Sequence, residues 1–160
     1  MENNQIKPLQ QLQQMAMERK RSKYPNVPQE SLPNATYNAA TANGLTKCVI
    51  DFLTFKGWQA ERINSTGRHV DRRQCYTDVL GRNKTIGGFE WIKGNGTRGT
   101  ADISATIGGK SVKIEVKIKA DRQSEAQKKY QQDIQAAGGI YYIAKDFDSF
   151  YTWYHKTFTK

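Results

Sequence analysis

The chain has 160 residues, room for one domain and a tail at about 100–200 residues per domain. Lys and Arg number 25 against 15 Asp and Glu, a net charge of +10 that suits a polyanionic partner, nucleic acid first among them. Hydrophobic residues make up 37%, below the ~45–50% usual for globular chains, so a modest core is expected, with part of the chain outside it. No apolar run nears the ~18 residues of a membrane span, and the N-terminus has no charged-then-apolar leader pattern. Cys48 and Cys75 are too few for a disulfide scaffold, and with His69 and His155 isolated no structural zinc site is expected. The expectation is a soluble, cytoplasmic, basic protein.

Taken in chain order, the prolines Pro8, Pro25, Pro28 and Pro33 all fall in a Gln- and Asn-rich opening stretch. Leu9, Leu12, Met15 and Met17 there make one short helix face, followed by the basic run Arg19-Lys20-Arg21-Ser22-Lys23. Residues 1–38 therefore read as an arm rather than as core, and the basic run as either a solvated tail or a DNA contact. The folded domain, 39–160, opens with a helix near Asn43, its stripe made by Leu45, Val49, Phe52 and Leu53. Asn43 is its expected N-cap and Gly57 its stop.

A strand at 58–64 follows. Residues 65–100 are rich in Gly, Arg and Lys, and 74–80 and 85–92 are expected to pair across Gly81-Arg82-Asn83-Lys84. Residues 101–107 and 111–118 alternate apolar and polar on either side of a turn at Gly108-Gly109-Lys110. Ser124-Glu125-Ala126-Gln127 reads as a capping box opening a helix with the stripe Ala126, Tyr130, Ile134 and Ala137. Gly138-Gly139 ends it, 140–144 has the look of a buried central strand, and Asp146 or Asp148 caps a last helix carrying Phe147, Phe150, Tyr151 and Tyr154. The class is α/β, a mixed central sheet flanked by helices.

Side chains alternate along a strand, so Glu115 and Lys117 project from one face, roughly 6.5–7 Å apart. If the hairpin closes at Ile107 and Lys110 or Ser111, Asp102 comes opposite Glu115 or Val116. Two adjacent carboxylates repel unless a cation lies between them. Mg²⁺, or Mn²⁺ in its place, takes hard oxygens of this kind, and the Val116 carbonyl offers a third. Lys117 beside such a cation stabilises the negative charge that accumulates in phosphodiester hydrolysis, whether it stays protonated or is partly deprotonated. The plain alternative makes Lys113, Glu115 and Lys117 the solvent face of a half-exposed strand.

Gly99-Thr100-Ala101-Asp102-Ile103, then Ile114-Glu115-Val116-Lys117, then Gln127 on the following helix, resembles the PD-(D/E)XK nuclease superfamily, in particular its VRR-NUC and archaeal Holliday-junction-resolvase branch. The likeness spans roughly 43–145 and includes the segment from Gly57 through Arg62 to Ser65-Thr66-Gly67. It implies a restriction-endonuclease-like core (αβββαβ), Asp102 and Glu115 as metal ligands, Lys117 as the catalytic lysine and Gln127 beside the active site. It also implies that Ser65 or Thr66 approaches the scissile phosphate. Two departures stand out. Ala101 replaces the family's proline, a backbone role only. The first helix, at 43–47, lacks the usual glutamate, which favours a one-metal site or weakened catalysis, while Asp51 lies further along, on the helix's outer face.

Arg62, Arg68, Arg72, Arg73, Arg82, Lys84, Lys93 and Arg98 make the insert a DNA-contacting segment, and Lys119 and Arg122 extend its rim; a charged surface loop is the bland alternative. Tyr76, Phe89 and Trp91 either stack on bases or pack the hairpin. The leading expectation is a metal-dependent DNA endonuclease, with branched or junction DNA a candidate substrate, a homodimer the default for cutting both strands, and a phage or mobile element a fitting source by analogy. A binding module with the nuclease fold but little hydrolysis comes second, and a basic adaptor with no catalytic site third.

Overall fold

The computed structural model describes residues 6–64, 67–92, 94 and 96–159. Helix α1 (Pro8–Lys23) starts on a proline, where the missing N–H costs nothing. Its Leu12 is fully buried with residues of the later helices and strands, and Leu9 and Met15 pack beside it. Residues 8–23 are thus not the arm outside the core that 1–38 was expected to form: α1 docks on the domain. A narrow apolar stripe suffices for docking, even in a helix that is otherwise Gln-rich. Part of the basic run fastens this contact. Arg19 donates to the Thr54 carbonyl at 3.2 Å and stacks on Phe55, and Lys20 donates to the Pro33 carbonyl at 2.8 Å.

A short 3₁₀ turn (Gln29–Ser31) leads to α2 (Ala42–Phe55). Its cap is Thr41 rather than Asn43: the Thr41 hydroxyl accepts from Gly44 N–H at 3.1 Å. The chain turns out of α2 through Gly57, whose φ of +86° only glycine adopts readily. Strand β1 (Gln59–Arg62) then gives way to the insert. There β2 (Arg68–Asp71) pairs with β5 (Phe89–Ile92), and β3 (Gln74–Thr77) with β4 (Asn83–Ile86). The expected pairing of 74–80 with 85–92 is therefore wrong for 89–92, which bond to 68–71. The ribbon breaks at Gly87-Gly88, where Arg72 N–H donates to Gly88 O at 2.9 Å and Gly87 sits at φ +85°.

Strands β6 (Ile103–Ile107) and β7 (Lys110–Val116) form the central hairpin, closing at Ile107 opposite Lys110. Helix α3 (Glu125–Ala136), β8 (Ile140–Ala144) and α4 (Phe147–Phe158) complete the chain. The four-stranded sheet runs β1-β6-β7-β8, antiparallel except for β7 with β8. Strand β8 lies at its edge, not at its centre, because α3 returns the chain to the outer side of β7. One face of the sheet, from Ile103, Ala105, Ile107, Val112, Ile114 and Val116, packs on α1, α2 and α4 around Phe52 and Phe150. Ser104, Lys113 and Glu115 alternate with these onto the opposite face, the side of α3. The molecule is thus mixed α/β, a mixed sheet flanked by helices. No helix among the described residues is long and apolar enough to cross a membrane.

Candidate active site

Three elements meet at one end of the sheet: the start of β6, the end of β7 and the N-terminus of α3. The β6–β7 register continues to bring Asp102 opposite Glu115. The Asp102 carboxylate is fixed on the backbone of β7, its Oδ2 accepting from Val116 N–H at 2.9 Å. Its own carbonyl accepts from Ile63 N–H at 2.8 Å, tying the residue to the end of β1 as well.

Glu115 is only 1% exposed, a buried acid between the sheet and α3. Its Oε1 faces the Lys117 ammonium at 3.2 Å and accepts from Gln127 Nε2 at 2.5 Å. Its Oε2 takes a long hydrogen bond, 3.4 Å, from the Tyr141 hydroxyl. Burial, and then the charge of Asp102, push the Glu115 carboxyl above the usual range, against the opposing pull of Lys117. Lys117 bridges from Glu115 to Asp121, at 3.4 Å. Burial is the largest single influence on this ammonium and lowers its pKa, but Glu115 and Asp121 together outweigh it, and the net shift is upward.

Gln127 fills two roles with one side chain. Its Oε1 accepts from Ser124 N–H at 2.9 Å, completing the capping box, while its Nε2 reaches Glu115. The capping geometry aims the amide at the acid. Asp102 opens onto a cleft of about 550 Å³, walled by Arg98, Gly99 and Thr100 on one side and by 124–127 on the other. At φ +84°, Gly99 backs directly onto α3: a Cβ there would lie 2.3 Å from the Ala126 carbonyl oxygen.

Asp102, Glu115, Val116, Lys117 and Gln127, singled out from the sequence, are thus brought together, and Arg98 borders the same cleft. Tyr141 and Asp121 join them without having been foreseen. Tyr141 lies in the segment expected as a buried central strand, and Asp121 in a loop; a phenol hydroxyl within that apolar strand is the signal that could have found the first. Gln123 extends the array, donating to Gln131 at 3.0 Å and to the Tyr141 hydroxyl at 3.5 Å.

Helix α2 offers this site no charged side chain. Asn43 Oδ1 accepts from Arg62 at 2.9 Å, so Arg62 is engaged with α2, and the Thr46 hydroxyl donates to the Ala42 carbonyl at 2.8 Å. Asp51 is not an outward-facing acid: half-buried, it accepts from Tyr37 at 2.9 Å and pairs with Lys47. In the insert, Arg72 pairs with Glu90, Arg73 with Asp71, and both Arg82 and Lys84 with Asp78. Arg73 also lies over the Phe89 ring at 4.5 Å. Arg68, Lys119 and Arg122 are exposed. Ser65, Thr66 and Lys93 lie outside the described residues.

Among the described residues, no group of three or more His, Cys, Asp and Glu side chains converges to hold a metal ion. Asp102 and Glu115 stand opposite each other across neighbouring strands, and the charge of Asp102 helps to raise the Glu115 carboxyl, a repulsion that a hard divalent cation would relieve. A pair of carboxylates completed by substrate phosphate and water is an ordinary donor set for Mg²⁺. No family model matches the chain, and neither a curated protein nor a solved structure matches it.

Proposed function

We propose that the chain is a metal-dependent endonuclease that hydrolyses DNA phosphodiester bonds at the Asp102–Glu115–Lys117 site, within the PD-(D/E)XK plan that its motifs resemble. The observation that carries this reading is a buried glutamate held between a lysine and a glutamine, with a second carboxylate on the neighbouring strand. A buried acid of this kind is an expensive arrangement for a purely structural purpose.

Asp102 and Glu115 would hold the cation, Mg²⁺ or Mn²⁺, with the Val116 carbonyl as a further oxygen. A cation held there would supply Lewis-acid polarisation of the phosphate and positive charge for the transition state. Lys117, paired with Glu115 and Asp121, brings an ammonium to the same side and is suited to electrostatic stabilisation of the phosphate. Gln127 and Tyr141 orient Glu115, and Arg98 at the cleft mouth meets the entering phosphate backbone. Branched DNA is a candidate substrate within this proposal, and a homodimer its default assembly for cutting both strands.

A second reading, DNA binding with little hydrolysis, is favoured by one observation: Asn43 and Thr46, on α2 where the resembled family has an acid, are neutral and already bonded. Labelled linear, nicked, flapped and four-way-junction DNA, incubated with Mg²⁺, Mn²⁺ or EDTA, decides between them. The nuclease reading expects cutting that needs the metal and falls about a hundredfold or more in Glu115→Gln and in Lys117→Ala, the scale of losing one transition-state contact. Tight binding without cutting favours the second reading. Neither binding nor cutting removes both.

A further inference from the structure

The ribbon of β2–β5 packs chiefly on itself and carries apolar side chains in the open: Tyr76, Ile86, Phe89 and Trp91 are all exposed. Its tip is the extreme case, with Val79 fully exposed and Leu80 at 72%. The turn beneath them is tightly built. Gly81 N–H donates to the Asp78 carbonyl and Asp78 N–H to the Arg82 carbonyl, each at 2.9 Å. The Asp78 carboxylate accepts from Leu80 N–H and Arg82 N–H, each at 2.9 Å. Gly81, at φ +75°, supplies the left-handed position. Asp78 and Gly81 thus account for the turn. Its two central positions accept almost any residue, and Val79 and Leu80 contribute nothing to the turn that a polar pair would not.

The same carboxylate gathers two cations behind the tip, Arg82 at 3.0 Å and Lys84 at 3.3 Å. Across residues 67–92, Arg68, Arg72, Arg73, Arg82 and Lys84 outnumber the acids Asp71, Asp78 and Glu90. An apolar point on a rigid turn, with an excess of cations along a two-stranded ribbon, matches a polymer with a stacked apolar interior and a charged exterior. A ribbon of this width enters the major groove, and apolar side chains part base steps at the cost of some stacking.

We propose that Val79 and Leu80 form a wedge that enters the base stack of DNA at a branch or deformable step, while the ribbon's cations hold the flanking phosphates. This rests on the DNA substrate proposed above and gives that substrate a structural preference: junctions and flaps, whose bases at the branch are already partly unstacked, cost least to open.

The test uses the full chain in EDTA, with linear, flapped and four-way-junction DNA carrying 2-aminopurine at the branch or at the matching linear step. The unaltered chain is expected to raise 2-aminopurine fluorescence on binding, most at the branch. Val79→Ser/Leu80→Ser is expected to abolish that rise and to weaken branched-DNA binding roughly tenfold, with the salt dependence kept because phosphate contacts remain. Leu80→Phe, apolar and larger, is expected to retain the signal. Equal binding and equal fluorescence in the double serine variant overturn the wedge. So does a loss of self-association in that variant, seen by sedimentation with the fluorescence unchanged, which assigns the tip to a second copy of the chain. Unstacking without cutting in Mg²⁺ leaves the wedge standing and removes the nuclease reading; cutting without unstacking does the reverse.

Discussion

Gly99 shows how tightly the cleft is specified at single positions. Its backbone is left-handed and abuts the Ala126 carbonyl, so any side chain both strains φ and pushes the 98–100 loop from α3. Gly99→Ala is expected to lower unfolding free energy by about 1–3 kcal/mol in a urea titration, and to lower DNA cleavage with it; unchanged stability would mean that the loop is free to move aside. Asp102, Glu115 and Lys117 were legible in the sequence because strand alternation and a tight turn fix which residues face each other. Gln127 was legible through its cap. Tyr141 was not: it reaches Glu115 across the parallel β7–β8 pair, and nothing local encodes the register of a strand that returns after a helix.

Among the elements, α1 was the least legible, since its composition resembles that of a solvated tail while its stripe is placed for docking. Leu12, fully buried against the later helices and strands, is the residue to remove. Leu12→Ala is expected to cost about 2–5 kcal/mol in chemical denaturation; no change would return residues 8–23 to the role of an appended arm. Helix α4 carries a different signature. His155 packs against the rings of Phe52, Tyr151 and Tyr154, and its Nε2 is buried with no hydrogen-bond partner among the described residues. Burial, and then Lys56, lower its pKa below the ordinary 6.5. A group depressed in the folded state contributes stability that is complete above pH 6.5 and is lost as pH falls through the lowered value. His155→Phe is expected to make Tm less sensitive to acidification over that window, measured by melts at stepped pH; an unaltered slope would show that other groups carry it.

Over the whole molecule, the central sheet, its flanking helices and their order were readable from periodicity alone. The ends of the sheet were not, because edge and centre differ in which strands pair rather than in composition. The insert's charge was visible, but its pairing was not. Arg72, Arg73, Arg82 and Lys84 are each held by an acid on the same ribbon, which pre-positions them and trims the net field they present. The ribbon leaves and re-enters the core between β1 and β6, so its base adjoins Arg98 and the cleft that Asp102 borders. The proposed substrate contacts and Asp102 therefore lie along one continuous connection of the chain, with Glu115 on the next strand.

Crystals grown with Mn²⁺ give the sharpest test of the site. Anomalous density is expected between the carboxylates of Asp102 and Glu115, and is expected to vanish in Asp102→Asn while the fold persists. Density bound only elsewhere, or none at Mn²⁺ concentrations that support any DNA cleavage, would contradict a catalytic cation held by these two acids.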